Sequence, residues 1–207
     1  MVTDNLLKKY PIISDQIQKP ALAVVLSHLE DILRHDMQGD IVEFGCYTGT
    51  TSLFIRRLLD AYGQSATRRF HVYDSFAGLP DKSRQDMSAA GTGFQAGALR
   101  SSKKELLEQF RRARLATPVI HKGWFEDLKP ADVPARIAFA FLDGDFYSSI
   151  LASLHLVWPR LEKGGIVTID DCGREALPGV DHAIRDFFGH NQLSPFYQKH
   201  NIGVLHL

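Results

Sequence analysis

The stretch I-A-F-A-F-L-D-G-D at residues 137–145 joins an apolar run to Asp143 and Asp145, and I-V-T-I-D-D at residues 166–171 repeats the pattern. Continuous apolar runs of this length are typical of strands that are buried on both faces of a parallel sheet. Ligands of open parallel sheets bind beyond the carboxyl ends of the strands. We therefore expect both acidic pairs at one rim of the sheet.

These carboxylates allow two interpretations. Carboxylates that lie close together raise one another's pKa unless a cation or a proton relieves the repulsion. Oxygen ligands suit a hard divalent ion such as Mg²⁺, so the first interpretation is a metal site. The alternative is that Asp143 caps the following helix and that Asp170 and Asp171 end a strand in a turn, since Asp is common in both places.

The composition limits the class of protein. A chain of 207 residues is long enough for one substantial domain, so we predict a single domain over 1–207. Lys plus Arg and Asp plus Glu both total 24, and this balance favours a small-molecule partner over nucleic acid or an anionic membrane. No signal-like or bilayer-spanning run is present, which predicts a cytoplasmic protein. Cys46 and Cys172 lack the spacing of a disulfide framework or a zinc site. The sequence does not decide whether the protein forms a homo-oligomer.

Predicted strands and helices alternate from residue 40 onward. Strands are predicted at 40–45, 69–74, 117–121, 137–143, 165–170, 195–199 and 202–207, and helices at 50–62, 101–114, 147–161 and 180–188. An amphipathic helix at 20–35, which Pro20 can start, lies in an N-terminal helical segment of about 1–36. The alternation predicts a doubly wound parallel α/β sheet, in which the last two strands pair antiparallel because their connection is too short for a crossover.

One long connection interrupts this pattern. Residues 77–98 are rich in Gly, Ala and Ser and have no clear period. A loop of this length in a compact domain is usually a lid or a disordered segment, and this one directly follows a predicted strand end. We interpret it as a lid over the ligand crevice, because loops on this face usually have binding roles.

The first predicted strand runs into a glycine turn, E-F-G-C-Y-T-G-T-T at residues 43–51. Glycines at a strand-to-helix turn let the backbone approach a ligand closely, but the spacing is not the G-x-G-x-x-G of dinucleotide sites. The second strand ends at Asp74, where a carboxylate can accept hydrogen bonds from both ribose hydroxyls. Together these features indicate an adenosine cofactor without phosphates. The alternative is a tight turn followed by an ordinary strand-end Asp.

Five motifs occur in a recognisable order: E-F-G-C-Y-T-G-T-T, D-S-F-A-G-L-P, G-W-F-E-D-L, L-D-G-D-F-Y-S-S and G-G-I-V-T-I-D-D. In order and spacing, over roughly residues 40–188, they resemble the macrocin O-methyltransferase family, whose members methylate sugar hydroxyls of natural products with S-adenosylmethionine. A weaker resemblance extends to catechol-type O-methyltransferases. The resemblance implies a Rossmann-like class I methyltransferase fold, α/β, with a mostly parallel seven-stranded sheet, one antiparallel strand and helices on both faces.

The resemblance also implies roles for individual residues. Asp143, Asp170 and Asp171 match the positions of Mg²⁺ ligands. Asp145 matches the general base, whereas the position at which catechol-type enzymes have a basic Lys is Phe146 here. The S-adenosylmethionine contacts that we predict are Glu43, Gly45, Cys46, Tyr47, Gly49, Thr50, Thr51, Asp74, Ser75, Gly123, Trp124, Phe125 and Asp143. For Trp124 and Phe125 the alternative is core packing.

The predicted function is an S-adenosylmethionine- and Mg²⁺-dependent O-methyltransferase that acts on a small-molecule hydroxyl, such as a sugar of a natural product or glycoconjugate. A catechol-like phenolic acceptor is the alternative within this class. A nicotinamide-dependent oxidoreductase is disfavoured, because the chain has neither G-x-G-x-x-G nor a Tyr-x-x-x-Lys pair. A non-catalytic S-adenosylmethionine-binding module stays a further alternative.

Overall fold

The computed structural model describes residues 1–89, 94–189 and 196–207, and in them seven strands form one sheet. The strands are β1 Asp40–Phe44, β2 Phe70–Asp74, β3 Val119–Lys122, β4 Ile137–Leu142, β5 Leu161–Ile169, β6 Phe196–Lys199 and β7 Ile202–His206. Their order is β3-β2-β1-β4-β5-β7-β6. The first five strands are parallel, and β7 pairs antiparallel with β5 and β6. The predicted sheet with one antiparallel strand is confirmed. Residue 195, predicted to start the sixth strand, lies outside the described residues.

Within the described ranges, six α-helices accompany the sheet: α1 Val2–Lys9, α2 Lys19–Arg34, α3 Thr50–Ala61, α4 Lys103–Ala113, α5 Tyr147–Val157 and α6 Pro178–Phe188. The helix predicted at 147–161 was too long. It ends at Val157 because Pro159 lacks an amide proton and disfavours a helical residue before it. A 3₁₀ turn, Trp158–Arg160, follows, and β5 already begins at Leu161.

Alternate residues of the strands enter two separate hydrophobic cores. One face of the sheet packs against α1, α2, α3 and α4, and the other against α5 and α6. Ile41 belongs to the first core and Val42 to the second, as expected for strands that are buried on both faces. The connection from β3 to β4 consists of two 3₁₀ turns, Phe125–Asp127 and Pro130–Asp132, instead of a helix.

A buried carboxylate attaches α1 to its neighbours. Glu30 of α2 accepts hydrogen bonds from the amides of Val2 and Thr3, at 2.8 and 3.1 Å, and from the Tyr62 hydroxyl at 2.8 Å. Burial alone would raise the pKa of Glu30, but its hydrogen bonds with Thr3, Tyr62 and Val2 outweigh burial and lower it. No helix in the described part of the chain is both long and apolar enough to cross a membrane.

Candidate active site

The glycine turn after β1 lies directly against the end of β4. Gly45 has φ +88°, and a Cβ at this position would lie 1.9 Å from the backbone oxygen of Asp143. Gly49 has φ +90°, and a Cβ there would lie 2.5 Å from Cδ1 of Leu106 on α4. Both positions require glycine for conformation and for space. The turn therefore brings the backbone of residues 45–49 to the rim at which β4 presents its first aspartate.

Asp74, at the end of β2, fixes the conformation of this turn. Its Oδ2 accepts hydrogen bonds from the amides of Cys46 at 2.9 Å and Tyr47 at 3.2 Å, and its Oδ1 accepts one from Phe76 at 2.7 Å. A carboxylate has about four acceptor sites, so three backbone donors occupy most of its capacity. The sequence predicted a ribose-binding role for Asp74, and the structure adds this second role.

Glu43 lies fully buried beneath the turn. Its Oε2 accepts a hydrogen bond from Ser52 Oγ at 2.5 Å, and its Oε1 has no hydrogen-bond partner among the described residues. Burial raises the pKa of Glu43 to about 8; the Ser52 hydrogen bond opposes this shift and the charge of Asp74 adds to it. Glu43 is therefore largely protonated at neutral pH in the protein without ligands.

Three further buried hydroxyls around the turn have no hydrogen-bond partner in the described part of the chain: Thr48 Oγ1, Thr50 Oγ1 and Ser101 Oγ. Thr48 and Thr50 flank Gly49, and Ser101 immediately precedes the N-cap residue of α4, the helix that packs on Gly49. Buried polar groups without partners are uncommon in folded proteins. Their concentration here indicates a place where a polar ligand can complete the hydrogen bonding.

Three carboxylates converge at the ends of β4 and β5. Oxygen atoms of Asp143, Asp145 and Asp171 lie within 4.8 Å of one another. Asp170, which the resemblance implied as a ligand, is not in this group; its Oδ1 accepts a hydrogen bond from the Asp171 amide at 2.8 Å. Asp145 and Asp171 adopt the left-handed conformation, with φ 58° and 60°. The structure thus brings Asp145 into the set of three in place of Asp170. We call Asp143, Asp145 and Asp171 the acid cluster.

The electrostatics of the acid cluster favour a cation or bound protons. Burial raises the pKa of Asp143 well above its usual range, and nearby carboxylates, Asp170 foremost, raise it further. Burial, followed by repulsion from Asp171 and Asp170, likewise raises the pKa of Asp145. Burial, followed by repulsion from Asp171, raises the pKa of Asp170 to about 7. Arg174 pairs with Asp171 and offsets part of this negative charge.

One cavity connects the glycine turn to the acid cluster. It encloses about 720 Å³ of empty space, a figure that includes its open mouth. Of the predicted cofactor residues, those that line it are Gly45, Tyr47, Asp74, Ser75, Trp124, Phe125 and Asp143. Glu43, Cys46, Gly49, Thr50, Thr51 and Gly123 are not among its lining residues. Phe125 also packs edge-to-face against Phe44 at 5.2 Å, so it belongs to the core as well.

The cavity also has walls beyond the predicted cofactor residues. Gln16, from the connection between α1 and α2, lines it, as do Ser149 of α5 and Arg174. Leu79 and Phe94, from the segment 77–98 predicted as a lid, line it too. Residues 90–93 of that segment lie outside the described residues. Gln16 could not be predicted as a site residue, because it is simply a polar residue in a loop without a recognisable motif.

Comparison with known proteins identifies related sequences. The 4'-O-methyltransferase of 8-demethyl-8-(2,3-dimethoxy-alpha-L-rhamnosyl)-tetracenomycin-C from Streptomyces olivaceus is 34% identical over 167 residues, which cover 78% of this chain and 63% of that protein. Mycinamicin III 3''-O-methyltransferase from Micromonospora griseorubida is 33% identical over 168 residues, which cover 78% of this chain and 66% of that protein. The matched region therefore spans less than two thirds of the length of each of these relatives.

Solved structures confirm the fold. The O-methyltransferase NovP superposes with a TM-score of 0.76 at 24% identity, over 89% of this chain and 78% of that chain. The calicheamicin methyltransferase CalS11 superposes with a TM-score of 0.73 at 24% identity, over 99% of this chain and 90% of that chain. Residues 15–205 match the family described as Macrocin-O-methyltransferase (TylF). The chain therefore belongs to the macrocin O-methyltransferase family.

Proposed function

We propose that this protein transfers a methyl group from S-adenosylmethionine to a hydroxyl of a small molecule, with a sugar of a natural product as the acceptor. The observation that carries the proposal is the single cavity that joins Tyr47 and Asp74, beside the glycine turn, to the acid cluster. A methyl donor at one end and an acceptor at the other would meet within it. Two relatives support the acceptor class, since their names specify transfer to a rhamnosyl unit and to a 3''-hydroxyl.

The glycine turn fits the polar half of S-adenosylmethionine. Thr48, Thr50 and Ser101 offer buried hydroxyls that lack partners among the described residues, and a ligand with carboxylate and ammonium groups can supply both acceptors and donors. Glu43 offers a buried oxygen that has no partner in the part of the chain that the structure describes, and a nearby positive charge would favour its ionised form. Asp74 retains acceptor capacity for a ribose hydroxyl beside its three backbone donors.

The acid cluster fits a divalent cation. Its donors are carboxylate oxygens, which Mg²⁺ prefers. The pKa values of Asp143 and Asp145 are raised first by burial and then by repulsion from neighbouring carboxylates, and a bound cation would relieve that repulsion. Two ligand sets are open to test: the family pattern of Asp143, Asp170 and Asp171, and the acid cluster itself, which contains Asp145.

When bound, S-adenosylmethionine supplies an electrophilic methyl group. When bound, Mg²⁺ supplies Lewis acidity that lowers the pKa of a hydroxyl. The protein's own part is to orient the acceptor and to accept its proton. Asp145 is the proposed base, because it matches the general base of the family pattern and lines the cavity beside Asp143 and Asp171. The proposed lid, residues 77–98, would exclude water through Leu79 and Phe94.

Two measurements test this proposal. Titration calorimetry with S-adenosylhomocysteine, without added metal, should show binding; absence of heat at millimolar ligand would reject the cofactor. A methylation assay with deoxysugar-bearing and catechol acceptors then identifies the acceptor class, and added chelator should abolish turnover. Asp143→Asn should remove activity, whereas Asp127→Asn, which changes an exposed acid in a nearby turn, should retain it. Turnover that persists in chelator would contradict the metal.

A further inference from the structure

Asp86 is a buried carboxylate in the middle of the segment 77–98. It ends a short 3₁₀ turn, Arg84–Asp86, and only 2% of it is exposed. Its Oδ2 accepts hydrogen bonds from the Ser83 amide at 2.8 Å and from Ser83 Oγ at 2.5 Å. Its other oxygen, Oδ1, accepts a hydrogen bond from the Tyr147 amide at 2.7 Å. A residue within the loop thereby binds a helix that begins 61 residues further along the chain.

The Tyr147 amide is the first of α5, and α5 has no cap from its own N-cap residue, Phe146. The first four amides of a helix need partners from outside the helix, and a negative charge is favourable at this end. Asp86 supplies both from a distant part of the chain. The Lys82 ammonium, four residues earlier, lies 5.5 Å from the centre of the Phe146 ring and adds a second contact to the same turn.

Asp86 also lies against the start of α6. A Cβ on Gly179, in the first turn of α6, would lie 1.8 Å from Asp86 Oδ1 and 2.8 Å from the Tyr147 amide nitrogen. The absence of a side chain at Gly179 therefore makes room for the carboxylate between the two helix starts. Ser88 Oγ donates a hydrogen bond at 2.6 Å to the backbone oxygen of Glu175, in the connection that leads into α6.

Each of these helices follows one of the turns that carry the acid cluster. Asp143 and Asp145 immediately precede α5, and Asp171 precedes α6. Asp145 and Asp171 both have positive φ, so their side-chain directions depend on how each turn joins its helix. We propose that Asp86 is a positioning residue, which holds the two acid-bearing turns at a fixed separation and so sets the geometry of the acid cluster.

The test compares Asp86→Ala with a matched control, Asp132→Ala. Asp132 ends the 3₁₀ turn Pro130–Asp132 and accepts a hydrogen bond from the Lys129 amide at 2.7 Å, in the same capping arrangement, and in the described structure no hydrogen bond joins its side chain to α5 or α6. Asp86→Asn keeps the volume and one acceptor oxygen, and it serves as the conservative variant. The readouts are hydrogen exchange of the backbone amides, Mn²⁺ affinity by electron paramagnetic resonance, and calorimetry with S-adenosylhomocysteine.

In Asp86→Ala we expect amide exchange at residues 143–150 and 171–177 to accelerate about tenfold and Mn²⁺ affinity to fall about tenfold, comparable to the loss of a helix cap. Asp86→Asn should show smaller changes in both quantities, and Asp132→Ala should show neither. The affinity for S-adenosylhomocysteine should stay within about twofold in all variants, because amides of the glycine turn donate hydrogen bonds to Asp74 and, within the described structure, none to Asp86.

The expected Mn²⁺ result rests on the proposed function, whereas the exchange result does not. If the wild type binds no Mn²⁺, the proposed metal site is wrong, and exchange in the two acid-bearing turns alone decides the role of Asp86. Acceleration confined to residues 83–86 would overturn the inference. Accelerated exchange with unchanged Mn²⁺ affinity, in a protein that binds Mn²⁺, would reduce Asp86 to a helix cap and would also overturn it.

Discussion

Replacement of Glu43 by Gln should stabilise the ligand-free protein, and the gain should grow with pH. Glu43 is fully buried, one of its oxygens has no partner among the described residues, and its pKa is raised from 4.5 to about 8. Below the unfolded pKa of 4.5 both states are protonated, and the carboxyl costs no stability through ionisation. As the pH rises toward the folded pKa, the unfolded chain releases the proton while the folded protein retains it, so stability is lost.

The size of the effect follows from proton linkage. Each pH unit between the two pKa values lowers the free energy of unfolding of the wild type by about 1.4 kcal/mol, relative to a variant that cannot ionise. Gln resembles the protonated carboxyl, because it can accept the Ser52 hydrogen bond and has no charge. From pH 5 to pH 7, the difference in unfolding free energy between Glu43→Gln and the wild type should therefore grow by about 3 kcal/mol.

Urea unfolding at pH 5, 6 and 7, followed by tryptophan fluorescence, measures this slope. Glu30→Gln is the matched control, since Glu30 is also a buried glutamate but has a lowered pKa. The stabilisation by Glu30 is fully present above the unfolded pKa and disappears only as pH falls through the folded pKa. Glu30→Gln should therefore destabilise by an amount that is nearly constant from pH 5 to pH 7. If the stability difference for Glu43→Gln is independent of pH, Glu43 is ionised in the folded protein, and the reasoning is wrong.

Three further predictions concern the site. Asp145→Asn should lower kcat by roughly 10² to 10⁴ and should retain Mn²⁺ binding, with a loss that shrinks as pH rises; loss of Mn²⁺ binding would make Asp145 a metal ligand instead. Asp74→Ala should weaken S-adenosylhomocysteine binding by about 1–3 kcal/mol in calorimetry and should also lower the melting temperature, because the backbone amides it binds lose their acceptor; an unchanged melting temperature would contradict the turn-fixing role. Gly49→Ala should lower the unfolding free energy, since the new Cβ would lie 2.5 Å from Cδ1 of Leu106. In a double-mutant cycle with Leu106→Ala, the loss in the double variant should be smaller than the sum of the two single losses by about 1 kcal/mol; equality of the two would exclude that collision.

The sequence was sufficient for the architecture because its signals are local. Apolar runs and their spacing placed the strands, and the rule that ligands bind at the carboxyl ends of parallel strands brought Asp143 and Asp171 to one rim. The choice between Asp170 and Asp171 could not be made this way. Adjacent side chains at a strand end point in different directions, and only the folded structure shows that an oxygen of Asp171 joins Asp143 and Asp145 within 4.8 Å.

Contacts between distant segments left no signal in the sequence. Asp86 lies in a stretch without periodicity, and nothing in it indicates that its carboxylate binds the start of α5. Gln16 lines the cavity from a loop that precedes the first strand. The hydrogen bonds of Asp74 to Cys46 and Tyr47 likewise depend on parallel pairing of β1 and β2, which brings the two strand ends together. Such roles follow from tertiary structure and not from residue spacing.

The left-handed backbone at Asp145 and Asp171 bears on how this protein can be engineered. A residue with a side chain costs roughly 1–2 kcal/mol in this region, Asp and Asn tolerate it better than most, and Gly adopts it without this strain. Backbone conformation therefore favours Asp145→Gly and Asp171→Gly, and each of these changes removes a carboxylate from the acid cluster. A library selected for heat resistance alone will accumulate variants that fold well and have lost a carboxylate from the site. Selection for a more robust form of this protein must therefore hold positions 145 and 171 fixed.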